Sequence, residues 1–207
     1  MEFKKKKDVL YMLKSETVCT YEMDDTPPFL ISDEALEKAV KIAMLFGCNI
    51  VGEVHVMRKQ YLDGSIPTGF QRTLVVGVNG EVPLANGKSF AVTQVNLEED
   101  SCREVSDIAH RITFRTDRLS MPLIEVITDA SLTTPQLAYE ACRRIQAMTR
   151  FSGLVRRGAG ASRQDVNGSV AGGSRVEIKG VPRIPTIPKL LHYEAIRQKI
   201  FLDMREE

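Results

Sequence analysis

The chain has 207 residues, 43% hydrophobic and 27% charged, with a formal net charge of +1. This composition excludes a disordered polymer, a collagenous repeat and a disulfide scaffold, and fits one fair-sized globular domain or two small ones. No apolar run approaches the roughly 20 residues that span a bilayer, so no membrane partner is expected.

The chain opens on "MEFKKKKDVLYML". Lysines precede a short apolar run that lacks a long h-region and a small-residue cleavage site. A solvated start is expected rather than a signal peptide, with a nucleic-acid-binding arm as the alternative. From Glu16 to Glu37 follow seven acids and no base. The four cysteines, Cys19, Cys48, Cys102 and Cys142, are scattered without a C-x-x-C pair. They are expected to be reduced, mostly buried thiols of a cytoplasmic protein, not zinc ligands.

"SDEALEKAVKIAMLFG" predicts the first helix. Ser32 caps it, acids fill its first turn, Leu36, Ala39, Val40, Ala43 and Met44 share a face, and Gly47 stops it. The period then changes to two. "GCNIVGEVHVMRKQYL" and "FQRTLVVGVNGEVPLANGKSFAVTQVNL" read as strands, with hairpin turns expected at Asn79-Gly80 and Asn86-Gly87. "NGKS" at 86–89 is no P-loop, because Val82 stands where that motif needs glycine.

The last of these strands runs into three acids, Glu98, Glu99 and Asp100. A further strand, "MPLIEVIT", holds one acid, Glu125, among apolar residues on both parities. An unpaired buried carboxylate is costly. Glu125 therefore needs an arginine (Arg118 or Arg175), a metal, or its own proton. Taken alone, the 98–100 cluster also fits a solvated turn or a helix N-terminus. Carboxylates at strand ends suit Mg²⁺, which takes one or two of them together with substrate phosphates.

"TPQLAYEACRRIQAMTRFSG" predicts the second helix, with Thr134 as cap, Pro135 at its first position and Gly153 beyond its end. "GAGASRQDVNG" lacks the strand–turn–helix context of a dinucleotide fingerprint. It reads as a flexible loop or as one whose amides approach a phosphate. "DVNGSVAGGSRVEIKG" predicts a hairpin turning at Gly172-Gly173. "PKLLHYEAIRQKIFLDMREE" predicts a third helix without a stop signal, from which a longer natural chain is expected. Arg143 to Arg197 carries eleven Lys or Arg against three acids, a balance of +8, which suits phosphate partners or a face paired with the acidic segment. His55, His110 and His192 lack metal-ligand spacing and are expected to be structural. Tight turns between strands predict antiparallel pairing. The fold class expected is α+β, a large, mainly antiparallel sheet with flanking helices in a single domain.

Six phrases occur in order: "RKQYLDGSIPTGFQRT", "VNLEEDSCREV", "RTDRLSMPLIEVIT", "RRGAGASRQDVNGSV", "RVEIKGVPRIP" and "HYEAIRQK". Together they resemble the GatB/GatE family of glutamyl-tRNA(Gln) amidotransferase subunits, nearest to its archaeal GatE type, over nearly all of residues 16–207. The resemblance implies ATP- and Mg²⁺-dependent phosphorylation of the γ-carboxylate of Glu on tRNA(Gln). Ammonia from a partner amidase-type glutaminase subunit (GatD-like) then displaces the phosphate, in a cytoplasmic assembly that reaches a heterotetramer. It implies Glu98, Glu99 and Glu125 as metal ligands and Glu125, Arg118 and Lys179 as catalytic groups. Asp117, Arg118, Asp165, Asn167, Ser169, Glu177 and Lys179 are implied as contacts to ATP and to the substrate at the tRNA acceptor end. Asp117-Arg118 stands where GatB usually has Asn-Arg, Asn96 where GatB commonly has His, and Thr68 where GatB has Lys. The family's first "GLEIH"-like strand, zinc cysteines, inserted domain and helical tail have no counterpart here. Residues 1–207 are thus expected to be one partial catalytic (cradle) domain that is inactive alone. The alternative is a fragment that only docks tRNA or the amidase partner.

Overall fold

The computed structural model describes residues 7–16, 18–158 and 160–206. The lysine run at 4–6 lies outside the described residues, while Lys7 ion-pairs with Asp107. The fold is α+β, with three helices and ten strands among the described residues. It divides into two compact units, Met1–Gly80 with Val92–Ile127, and Glu81–Ala91 with Thr128–Glu207.

The first unit is built on a sheet ordered β2 (Asn49–Ile50), β4 (Phe70–Pro83), β5 (Ser89–Glu99) and β8 (Pro122–Thr128), with β3 (Met57–Gln60) also paired to β4. Helix α1 (Asp33–Leu45) covers one face. Ser32 Oγ accepts from the Ala35 amide, and Gly47 takes φ 69° beyond its end. Ala35 and Ala39 pack on Leu74, Val76 and Leu97, with Ile124 at the edge. The small alanines let the helix lie close to the strands, so this stripe is core.

Two expectations about this region need correction. "GCNIVGEVHVMRKQYL" is not one strand, because residues 51–56 break it into β2 and β3. Nor is Asn79-Gly80 a hairpin turn. β4 runs through it unbroken, with Asn79 at φ 55°. A Cβ at Gly80 would lie 2.5 Å from Cys48 Sγ and 2.6 Å from the Phe46 carbonyl oxygen. The glycine is there because the end of α1 crosses the strand at this point. Gly80→Ala is expected to cost about 1–3 kcal/mol, since the obstacle is partly backbone. The reading is a lower urea midpoint at unchanged slope; a wild-type midpoint would mean that the helix end yields. The true turn is at Asn86-Gly87, where Gly87 has φ 78° and the Leu84 amide donates to the Lys88 carbonyl at 2.7 Å.

A second, three-stranded sheet is ordered β1 (Asp8–Met12), β7 (Arg111–Arg115) and β6 (Arg103–Ile108). β1 runs parallel to β7, a parallel pair in a mainly antiparallel fold, with Asp8 opposite Arg111 and Met12 opposite Arg115. Tyr11 stacks on Phe114 at 6.1 Å, over a small core of Cys102, Ile112 and Phe114.

In the second unit β9 (Gln164–Gly168) and β10 (Val176–Val181) form the expected antiparallel hairpin, with Gly172 at φ 77° in its turn. Helices α2 (Pro135–Phe151) and α3 (Ile187–Glu206) accompany it. Thr134 caps α2 through the Leu137 amide at 3.2 Å. Val166, Val181, Ile184 and Ile187 form the core, packed by Ile178, Tyr139 and Leu191.

Candidate functional site

The carboxylates lie on β5 and β8, and strand alternation sorts them. Leu97 and Ile124 face α1, so Asn96, Glu98 and Glu125 project from the opposite face. Asn96 Nδ2 donates to Glu125 Oε2 at 2.9 Å. Thr73 Oγ1, from β4, donates to Glu98 Oε1 at 3.1 Å, and Lys59 Nζ lies 3.9 Å from the same oxygen. Asn96 and Glu98 are buried, 5% and 8% exposed. Burial first, and then the negative charge of Glu125, raise the Glu98 carboxyl above its usual range.

Glu99 points the other way. Arg72 holds it from both ends, Nε to Oε2 at 2.8 Å and Nη2 to Oε1, while Arg72 Nη1 donates to the Phe29 carbonyl. This pair lines a cleft of about 320 Å³ on the α1 side with Leu74, Leu97, Phe29 and Ser120. Glu98 and Glu125 are therefore brought together, and Glu99 is not brought to them. Adjacent residues of a strand cannot share a face.

The next two expected residues sit on the loop after β7. Asp117 pairs with Arg103 and lies 3.7 Å from Arg115. Arg118 Nε lies 3.3 Å from Oδ2 of buried Asp100, so the third acid of the cluster positions an arginine. In the second unit Asp165, Asn167, Glu177 and Lys179 alternate with the core residues Val166 and Ile178, and so occupy the exposed face of the hairpin. Lys179 Nζ is 3.3 Å from Glu177 and 3.9 Å from Asp165, whose Oδ1 also accepts from the Gly180 amide at 2.7 Å. Asn167 is opposite Glu177 in register, and Ser169 is exposed just past the end of β9.

Sequence reasoning missed Arg72, Thr73 and the bonding role of Asn96. For Asn96 the signal was present, since it shares parity with Glu98. For Arg72 it was not, because nothing in "FQRT" marks an arginine aimed at an acid 27 residues on.

The acceptors that Glu98, Glu125 and Asn96 Oδ1 offer a cation are all oxygens, with the Lys59 ammonium 3.9 Å from Glu98 Oε1. Two carboxylates of like charge meet on this face, Glu98 buried and Glu125 partly buried, and Asn96 Oδ1 is buried without a hydrogen-bond partner among the described residues. An all-oxygen set of this kind fits Mg²⁺, which takes few protein ligands and completes its shell with water and phosphate. No group of three or more His, Cys, Asp or Glu among the described residues is placed to hold a metal, so such a shell would lean on its substrate. Cys48, Cys102 and Cys142 offer no nucleophile. Burial raises the thiols of Cys48 and Cys142, and raises Cys102 to about 12. No helix among the described residues is long and apolar enough to cross a membrane.

The model of a family described as the GatB/GatE catalytic domain matches residues 10–206. The GatE subunit of glutamyl-tRNA(Gln) amidotransferase from Methanopyrus kandleri is 44% identical over 208 residues, covering 100% of this chain and 32% of that protein. The proteins of the same name from Methanococcus vannielii and Saccharolobus solfataricus are each 40% identical, again over 100% of this chain and 32% of theirs. The chain thus spans about a third of the length of the curated relatives it matches.

Proposed function

The chain belongs to the GatB/GatE catalytic-domain family, and from that premise we propose that it carries the phosphorylating part of a glutamyl-tRNA(Gln) amidotransferase. The proposed reaction moves the γ-phosphoryl group of ATP to the side-chain carboxylate of Glu esterified to tRNA(Gln). Ammonia, supplied by a partner amidase, then attacks the acyl carbon, phosphate leaves, and the amide of Gln remains. A carboxylate is a poor acyl donor to an amine; its acyl phosphate has a good leaving group.

The observation that supports this reading is the Glu98–Glu125 pair, one buried and one partly buried carboxylate on one sheet face beside the unpartnered Asn96 oxygen. Glu98 and Glu125 would hold Mg²⁺, with Asn96 Oδ1 as a neutral donor. When bound, the ion supplies charge neutralisation for phosphoryl oxygens. The protein's own task is to hold these oxygens fixed. Thr73 orients Glu98, and the Asn96 amide orients Glu125. Arg118, steadied by Asp100, is a cation for a phosphate. Lys179, three-quarters exposed beside Glu177 and Asp165, is one for a phosphate or for the substrate carboxylate. Asp117, Asn167 and Ser169 are proposed as polar contacts to nucleotide or substrate.

Calorimetric titration of the chain with ATPγS, with and without Mg²⁺, tests the reading. Mg²⁺-dependent heat is expected, absent from a Glu125→Ala variant that melts normally. A folded chain that binds nothing favours the alternative, a fragment that only docks tRNA or the amidase partner. Metal-independent binding that survives Glu125→Ala removes these carboxylates from the mechanism.

A further inference from the structure

The second unit contains a cleft of about 390 Å³ whose lining includes Gln146, Arg150, Ser162, Gln164, Arg183 and Ile184. It is not the exposed face of the hairpin discussed above. Gln164 alternates with Asp165 and stands in register with Val181, so it lies on the opposite face, the one that packs on the core. No acidic residue among the described residues lines the cleft. Arg150 and Arg183 are exposed, and neither guanidinium has an ion-pair partner among the described residues. Opposed to these donors is one acceptor. Gln164 Oε1 is buried and has no hydrogen-bond partner among the described residues.

Two unpaired guanidiniums beside one buried, unfilled acceptor ask for a ligand with an anionic group and a neutral donor close to it. We infer that this cleft binds a ribose–phosphate unit of an RNA backbone, the phosphate on Arg150 and Arg183 and the 2′-hydroxyl donating to Gln164 Oε1. Guanidiniums match phosphate oxygens in a planar fork. The 2′-hydroxyl is the group that tells RNA from DNA. The cleft also gives a place to part of the +8 balance of residues 143–197. The inference rests on the proposed function only for the choice of a polynucleotide over a free nucleotide.

The test is fluorescence anisotropy of the 207-residue chain with a tRNA transcript and with DNA of the same sequence, over a salt series. Arg150→Ala with Arg183→Ala is expected to lower the slope of log affinity against log salt by about 0.7–0.9, one phosphate contact's worth. A control of equal charge change outside the cleft, Arg144→Ala with Lys199→Ala, should move it by less than a third of that. Gln164→Leu should weaken RNA binding by about 2- to 10-fold and leave DNA binding unchanged, as loss of one hydroxyl contact would. The inference is overturned if the double variant keeps the wild-type slope, if the control matches it, or if Gln164→Leu affects RNA and DNA equally. It is also overturned if the double variant loses ATPγS instead of RNA, which would assign the cleft to a nucleotide. Failure of the proposed function looks different: Glu125→Ala would then leave nucleotide binding intact, whatever happens to RNA.

Discussion

Arg72→Ala should destabilise the first unit by about 3–5 kcal/mol, the usual result of stripping one member from a buried ion pair. The side chains of Arg72 and Glu99 are only 10% and 14% exposed, and both ends of the guanidinium are used on the carboxylate. The substitution leaves Glu99 charged in a cleft lined by Leu74 and Leu97, and leaves the Phe29 carbonyl without its donor. A loss of this size is a large share of the roughly 5–15 kcal/mol typical of a whole domain, and it raises the unfolded-to-folded ratio roughly 100- to several-thousand-fold. Urea unfolding measures it. The companion experiment is Arg72→Met with Glu99→Leu, which removes both charges and should recover most of the loss. If Arg72→Ala costs under about 1 kcal/mol, as an exposed pair would, the pair is solvated and the cleft is open to water.

Glu98→Gln should have the opposite sign for stability and a large effect on the metal. Burial and the neighbouring Glu125 raise the Glu98 carboxyl, with Asp100 adding to the rise and Lys59 and Thr73 opposing it. A raised acid binds its proton more tightly folded than unfolded. Its relative stabilisation is complete below the unfolded glutamate value and is lost as pH rises through the folded one. In metal-free buffer the wild type should therefore weaken as pH rises from the ordinary glutamate range, about 4.3, through the raised folded value. Glu98→Gln should raise the urea midpoint at neutral pH and flatten that dependence. The same change should weaken Mg²⁺-dependent ATPγS binding by at least about 100-fold, since loss of mere outer-shell partners costs about 10–100-fold. A variant that is stabilised yet binds Mg²⁺ as before would make the carboxylate pair a structural oddity and nothing more.

The helices were legible because their ends carry chemistry. Ser32 and Thr134 cap, Pro135 starts, and Gly47 and Gly153 take φ 69° and 70° where each helix stops. The three-stranded sheet was not. "REVSDI" has no buried alternation to show, every residue but Ser106 being exposed, and β1 pairs with a strand about a hundred positions away. Asn79-Gly80 misled because a turn and a close backbone approach select the same residues; only the position of Cys48 and Phe46 tells them apart. In the site, the acidic residues could be read as a group, and Glu125 as a carboxylate needing a partner. Which acids meet is set by parity across two strands. Arg72 claims Glu99 through a contact that no local pattern announces.

The pairing of β1 with β7 also orders events in time. Its partners are separated by about a hundred residues, the kind of contact that forms late because the intervening loop must close first. At ribosomal speeds of about 5–20 residues per second, β1 leaves the ribosome about 5–20 s before β7 does. Through that interval Val9, Leu10 and Met12, still 41–48% exposed in the finished fold, have no strand to join. Pulsed hydrogen exchange should find the Leu10 amide protected after that of Val76. The nascent chain thus carries a sticky edge through that interval, and its yield in a cell depends on what shields that edge until synthesis of β7 catches up.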